Sequence, residues 1–231
     1  LWNSKGKGEN AAVKITSEIF QVGGSGFTDS EDAAAYLVHL AGHAALVDAG
    51  CGRSQERLFR NISGCGIGPN AIEYLLITHC HYDHTGGIQG VRDRTKCTVV
   101  AHELEVPYLE DGNDEVSGAK WYGGSLTPSR IDLKITGDRQ MIELGGREIQ
   151  AIHAPGHSPG SVVYVMQSDG QKILFGQDVH GPLHPSLLSN REDYLRSLKL
   201  LISLQADILC EGHYGVIRGK DKVEDFIASF M

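Results

Sequence analysis

Tyr74-Leu75-Leu76-Ile77-Thr78 runs directly into His79-Cys80-His81-Tyr82-Asp83-His84 and then into Thr85-Gly86-Gly87. A short apolar strand thus ends on four residues able to ligate a metal, His79, His81, Asp83 and His84, within six positions. Imidazole nitrogen and carboxylate oxygen suit zinc and other first-row divalent ions where the site must stay open to water. In an extended segment the side chains alternate, so His79 and His81 point the same way. Where the chain turns into a following helix, Asp83 and His84 face a second position a few ångströms away. Gly86 and Gly87 let that turn be tight. Isolated histidines carry no such signal, and His39, His43, His102 and His153 are read as core or surface residues.

Downstream, further potential ligands each follow an apolar strand. His157 lies in Ala154-Pro155-Gly156-His157-Ser158-Pro159-Gly160-Ser161, Asp178 in Phe175-Gly176-Gln177-Asp178, and His213 in Glu211-Gly212-His213-Tyr214. Upstream stands Val47-Asp48-Ala49-Gly50. Loops that leave a rigid scaffold at one edge gather such residues into one place. The HxHxDH stretch and these later segments, in this order, resemble the metallo-β-lactamase superfamily from about residue 13 to 218. The resemblance implies an α/β fold, an αββα sandwich of two mixed sheets flanked by helices, with the metals at one edge. It also implies that His79, His81 and His157 hold one ion, that Asp83, His84 and His213 hold another, and that Asp178 bridges them. Asp48 is expected to orient a histidine or its loop, because ligating histidines need an acceptor on their other ring nitrogen.

Two divalent ions about 3.5–4 Å apart lower the pKa of a shared water and polarise a carbonyl or phosphoryl oxygen. The expected activity is therefore metal-dependent hydrolysis of a thioester, lactone or related ester of a small molecule, with a metal-bridging hydroxide as nucleophile. Asp83 and Asp178 would orient it, and His180 would donate a proton to the leaving group, since histidine titrates near neutrality. Tyr214 and Tyr194 are weaker candidates for a hydroxyl facing the oxyanion. Zinc is the default metal, and iron or manganese accept much the same donors. The segment around His157 most resembles glyoxalase II-like thioesterases and N-acyl homoserine lactonases. The stretch after His213 is expected to be too short for the helical domain that binds glutathione in glyoxalase II. The competing reading is a mono-iron persulfide dioxygenase, for which His79, His157 and Asp178 suffice; a phosphodiesterase or a non-catalytic metal-binding module ranks lower. No GxSxG elbow or Walker loop is present to support serine-hydrolase or P-loop chemistry.

The 231 residues fit one domain over 1–231, with Leu1 to Asn10 as a polar tail without the features of a secretory signal. Twenty-one basic against 29 acidic residues, net charge −8, disfavour a nucleic-acid partner, whose binding rests on neutralising phosphates. Apolar runs such as Leu198 to Leu204 fall far below the roughly 20 residues that span a bilayer. Five cysteines without a CxxC pair argue for a reducing cytoplasm and against a disulfide framework. Cys80, between two ligands, is read as buried and inert.

Alternation and turn signals predict strands over Val13 to Val22, Ala35 to His39, Ala44 to Asp48, Tyr74 to Thr78 and Cys97 to Ala101, with a helix over Arg53 to Ile62. Strands follow near Gln140 to Glu143, Arg147 to His153, Ser161 to Met166, Lys172 to Phe175 and Asp207 to Cys210. Helices are expected around Leu195 to Leu204 and from Lys222. Between Pro107 and Gly137 the pattern breaks down, and this segment is expected to be an insertion capping the site, with Tyr108, Trp121 and Tyr122 as an apolar wall.

Overall fold

The computed structural model describes residues 11–231, so the polar tail Leu1 to Asn10 lies outside the described residues. The first half forms a mixed sheet of strands β1 (Val13–Lys14), β2 (Ile19–Gln21), β3 (Tyr36–Leu40), β4 (His43–Val47), β5 (Ile72–Leu76), β6 (Thr98–His102) and β7 (Leu133–Ile135), in that spatial order. Neighbours are antiparallel from β1 to β4 and parallel from β4 to β7. Helices α1 (Gln55–Gly64), α2 (Tyr82–Thr85), α3 (Ile88–Thr95) and α4 (Val106–Asp111) lie in the connections. The second half contributes β8 (Arg139–Leu144), β9 (Arg147–His153), β10 (Val162–Ser168), β11 (Gln171–Phe175), α5 (Arg191–Ser203), β12 (Ile208–Glu211), β13 (Gly215–Arg218) and α6 (Lys220–Ala228). Its six strands form a second mixed sheet, antiparallel except where β11 meets β12.

Alternation along the strands builds the layers. Tyr36, Val38 and Leu40 of β3 and Ala45 and Val47 of β4 meet Tyr164, Met166, Ile173 and Phe175 of the second sheet in a core between the sheets. Their neighbours Leu37, Ala44 and Leu46 face outward, against Leu58, Phe59 and Ile62 of α1. On the far side, Ile152, Val163, Leu174 and Leu209 pack under Tyr194, Leu198 and Leu201 of α5 and Val223 and Ile227 of α6. Asn190 caps α5 by accepting from the backbone N–H groups of Glu192 and Asp193, whose side chains also suit the positive end of the helix. The result is the expected order of helix, sheet, sheet, helix.

Three readings of the sequence need correction. The stretch Val13 to Val22 is not one strand but a hairpin, with Val13 opposite Gln21. Thr16 and Ser17 are drawn out of the ladder by Ser168 and Asp169, which bind their polar groups. Residues 107–137 are not irregular throughout. They contain most of α4, a short 3₁₀ turn at Ala119–Tyr122 and β7, and Leu109, Val116, Leu126 and Ile131 complete the core over the first sheet. Their apolar residues are spaced by glycines that turn left-handed at Gly112, Gly118 and Gly123, so no single period survives. Strand β13 was not anticipated, because its half-exposed Gly-Val-Ile-Arg has no buried face to reveal it.

Candidate metal centre

Strands β4, β5 and β6 run in one direction, as do β9, β11 and β12, and the functional side chains follow their carboxyl ends. Loops there are where open α/β sheets bind ligands. After β5 the chain bends at Thr78 and Cys80 before His81, the N-cap position of α2. Cys80 packs in the core over the first sheet, while its neighbours His79 and His81 face the site. Burial pushes the Cys80 thiol well up, which suits an inert residue.

The structure brings all seven expected ligands together as two overlapping groups. His79, His81, His157 and Asp178 place one donor atom each within 4.8 Å of one another, and so do Asp83, His84, Asp178 and His213. The Nε2 atoms of His79 and His157 face each other at 3.2 Å. His157 Nδ1 donates to the Pro182 carbonyl at 3.0 Å, which leaves its Nε2 as a lone pair turned inward. His213 Nε2 lies 3.1 Å from Asp83 Oδ2 and 3.3 Å from Asp178 Oδ2. His84 Nε2 lies 3.0 Å from Asp178 Oδ1, yet neither atom completes a hydrogen bond, and His81 Nε2 is likewise buried without a partner.

Electrostatics divide the two groups. Burial holds His81 and His157 down to about 3 and His79 well below the usual histidine value, so these three imidazoles are neutral. At His213 burial works in the same direction, but the bonds to Asp178 and Asp83 outweigh it and raise the group to about 10. His84 is raised despite burial by Asp178, Asp83 and Asp48, while His84 and His213 hold Asp178 well below the carboxylate range against its own burial. Neutral imidazoles with inward lone pairs, unpartnered buried nitrogens and the ionised carboxylate of Asp178 are donors that suit divalent metal ions, and the residues fit them.

Buried carboxylates beside the seven expected donors fix these side chains, and one of them, Glu211, forms a third cluster of possible donors with Asp178 and His180. Asp48 accepts from Thr78 N at 2.9 Å and Thr78 Oγ1 at 2.7 Å and sits 2.7 Å from His84 Nδ1, the orienting contact anticipated from the sequence. Two others were not anticipated. Glu105, just past β6, accepts from Cys80 N and Ser158 Oγ at 2.8 Å each and from Gly160 N. Glu211, closing β12, accepts from His213 N at 2.7 Å and Tyr214 N at 2.8 Å, with its other oxygen 2.9 Å from His180 Nδ1. A lone glutamate has no spacing signature, and a strand end directly before a ligand loop is the one signal that was available. Gly212 lets the backbone pass the centre, since a Cβ there would stand 2.2 Å from Asp178 Oδ1.

His180 is partly buried at the rim, its ring 5.1 Å from those of His213 and Tyr214. Tyr194 is not available to an oxyanion, because its hydroxyl donates to the Val179 carbonyl within the packing under α5. Tyr214 is exposed and packs on Phe226. His39, His43, His102 and His153 stay outside the donor groups; His43 pairs with Glu73 and His102 stacks on His153 at 4.0 Å. A cavity of about 90 Å³ opens over His81, Asp83, His157 and Asp178, walled by Ser117, Gly118, Trp121, Tyr122, Pro182 and Leu187. Tyr108, expected in that wall, instead packs against the core over the first sheet.

A family model described as the metallo-beta-lactamase superfamily matches residues 30–213. Probable metallo-hydrolase YqgX of Bacillus subtilis (strain 168) is 30% identical over 167 residues, covering 70% of this chain and 76% of that protein. Ribonuclease TTHA0252 of Thermus thermophilus is 28% identical over 190 residues, 78% of this chain and 41% of that protein. Acyl-coenzyme A thioesterase MBLAC2 of Gallus gallus is 26% identical over 229 residues, 87% and 79% respectively. Among solved structures, a Cronobacter sakazakii metallo-β-lactamase with a HARLDQ motif superposes with a TM-score of 0.81 over 96% of this chain and 91% of that one, at 22% identity, a likeness of fold.

Proposed function

Because the chain belongs to the metallo-β-lactamase superfamily and is a metal-dependent hydrolase, we propose that it cleaves a thioester, lactone or related activated ester of a small molecule at a two-ion centre, with zinc as the metal. The observation that carries this reading is the complete, doubled donor set around one shared carboxylate. His79, His81 and His157 would hold one ion and Asp83, His84 and His213 the other, with Asp178 common to both. When bound, two such ions supply a water acidified to near neutrality and an electrophile for the carbonyl oxygen.

The chain's own residues supply the rest. Asp83 and Asp178, buried and turned into the site, accept the hydrogen bonds that orient the attacking water. Trp121, Tyr122, Pro182 and Leu187 offer the apolar side of a substrate a wall beside the reacting carbonyl. Glu211 accepts from the Nδ1–H of His180, which leaves the other nitrogen to serve the leaving group at the rim. The net charge of −8 favours a carbonyl substrate over a polyanionic nucleic acid, and the thioesterase relative aligns with more of this chain than the ribonuclease does. Five free cysteines support a reducing, cytoplasmic setting, and no helix among the described residues is long and apolar enough to cross a membrane.

The test compares two reactions. The zinc-loaded protein should turn over an activated thioester or lactone under strict anaerobiosis and place isotope-labelled solvent oxygen in the product. Oxygen uptake with glutathione persulfide by the iron-loaded protein, together with no anaerobic hydrolysis by the zinc form, would establish the mono-iron dioxygenase reading instead.

A further inference from the structure

Glu105 and Glu211 are both fully buried; Glu211 stands with Asp178 and His180 in a third cluster of possible donors, but its oxygens are engaged by His180 and by backbone N–H groups. Their contacts divide along the same line as the ligands. Glu105 Oε2 takes the N–H of Cys80, the residue between His79 and His81, while Oε1 takes Ser158 Oγ and Gly160 N, just past His157. It therefore ties the two loops that carry all three histidines of one position, across 25 and 53 residues of sequence. Glu211 binds the backbone N–H of His213 itself and of Tyr214, and holds the loop after Asp178 through His180. Its grip is on the loop of the other position. Ser158 is further locked by Ser161, whose hydroxyl lies 2.8 Å from that of Ser158, so the His157 loop has little freedom beyond what Glu105 allows.

We propose that Glu105 and Glu211 are positioning residues that each govern the loading of one metal position, Glu105 that of His79, His81 and His157, and Glu211 that of Asp83, His84 and His213. The inference rests on the two-ion reading above. A glutamine in either place keeps the volume but puts an amide NH₂ where an acceptor stood, so a backbone N–H or a hydroxyl meets a donor and the loop must shift. Groups that hold ligands from behind typically alter metal affinity by about 10–100-fold when changed.

The experiment reads each position alone. In a His213→Ala background the remaining ion reports the first position, and in a His157→Ala background it reports the second. Metal-free proteins are titrated with zinc against a chromophoric chelator, after circular dichroism has shown that each variant is folded. Glu105→Gln should weaken zinc by about 10–100-fold in the His213→Ala background and by less than about threefold in the His157→Ala background, with Glu211→Gln giving the reverse. Equal weakening in both backgrounds, or none, overturns the proposal. Should Glu105→Gln fail to fold, Ser158→Ala removes one of its contacts and must show the same selectivity, or the proposal falls. Wild-type stoichiometry is measured first. One ion per chain would remove the two-ion reading together with this inference, whereas two ions without selectivity would remove only the inference.

Discussion

Asp178 is the residue on which both donor groups depend: one oxygen faces His84, the other faces His213 and, at 3.5 Å, His157. Replacing it with alanine leaves His84 and His213 without the anion that balances them and removes a donor from each group at once. Asp178→Ala should lose both ions and at least about a thousandfold in kcat/KM, roughly 4 kcal/mol of barrier. Full metal content with near-normal turnover would contradict the shared-ligand assignment. A second residue-scale effect lies away from the metals. Burial, reinforced by the stacked His153, lowers the pKa of His102 below its ordinary value of 6.5. The unfolded chain therefore takes up a proton near pH 6.5 that the folded chain refuses, so this group's contribution is present above that pH and lost as pH falls through it. In urea unfolding, His102→Asn should lose less stability than wild type on going from about pH 7.5 to about pH 5.5. An identical slope for both proteins would show that His102 plays no part in the acid response.

Among the elements, the segment 107–137 shows best what the sequence revealed and what it hid. The seven candidate ligands that the fold brings together were legible because their chemistry is local: four stand within six positions, and each of the others follows an apolar strand. Asp48 was legible for the same reason, standing at the end of β4. Glu105 and Glu211 were not, since what they do depends on partners brought together by the fold, from as far as 55 residues away in the case of Gly160. The folded part of 107–137 was hidden because its buried residues are separated by turns and obey neither helical nor strand period. Its exposed part is what concerns the substrate. Trp121 is 54% exposed at the mouth of the cavity, edge-on to His184 at 5.3 Å. Trp121→Ala should raise KM by about fivefold or change the ranking of apolar substrates, a loss of about 1 kcal/mol of contact, with metal content intact. Unaltered kinetics across a substrate series would reduce this segment to a structural role.

For the molecule as a whole, ions that bind the folded state and not the unfolded one add to its stability. Each ion held at a hundredfold excess over its Kd contributes about 2.7 kcal/mol. At about 2–4 °C per kcal/mol for a chain of this size, chelation should lower Tm by roughly 5–10 °C per ion, read by calorimetry and matched to elemental analysis. An unchanged Tm after proven removal of the metal would show that the ions bind the unfolded chain as tightly as the folded one. The donors also come from both halves: His79, His81, Asp83 and His84 leave the first sheet, and His157, Asp178 and His213 leave the second. A chain emerging from synthesis therefore completes neither group until its second half has folded onto the first, which makes metal capture a late step in maturation. An ion held there would join distant parts of the backbone through the interior and act as a cross-link that closes a long loop, the service a disulfide gives elsewhere. In a protein whose five cysteines are all free, such a clasp would be reversible and would answer to metal supply rather than to redox state.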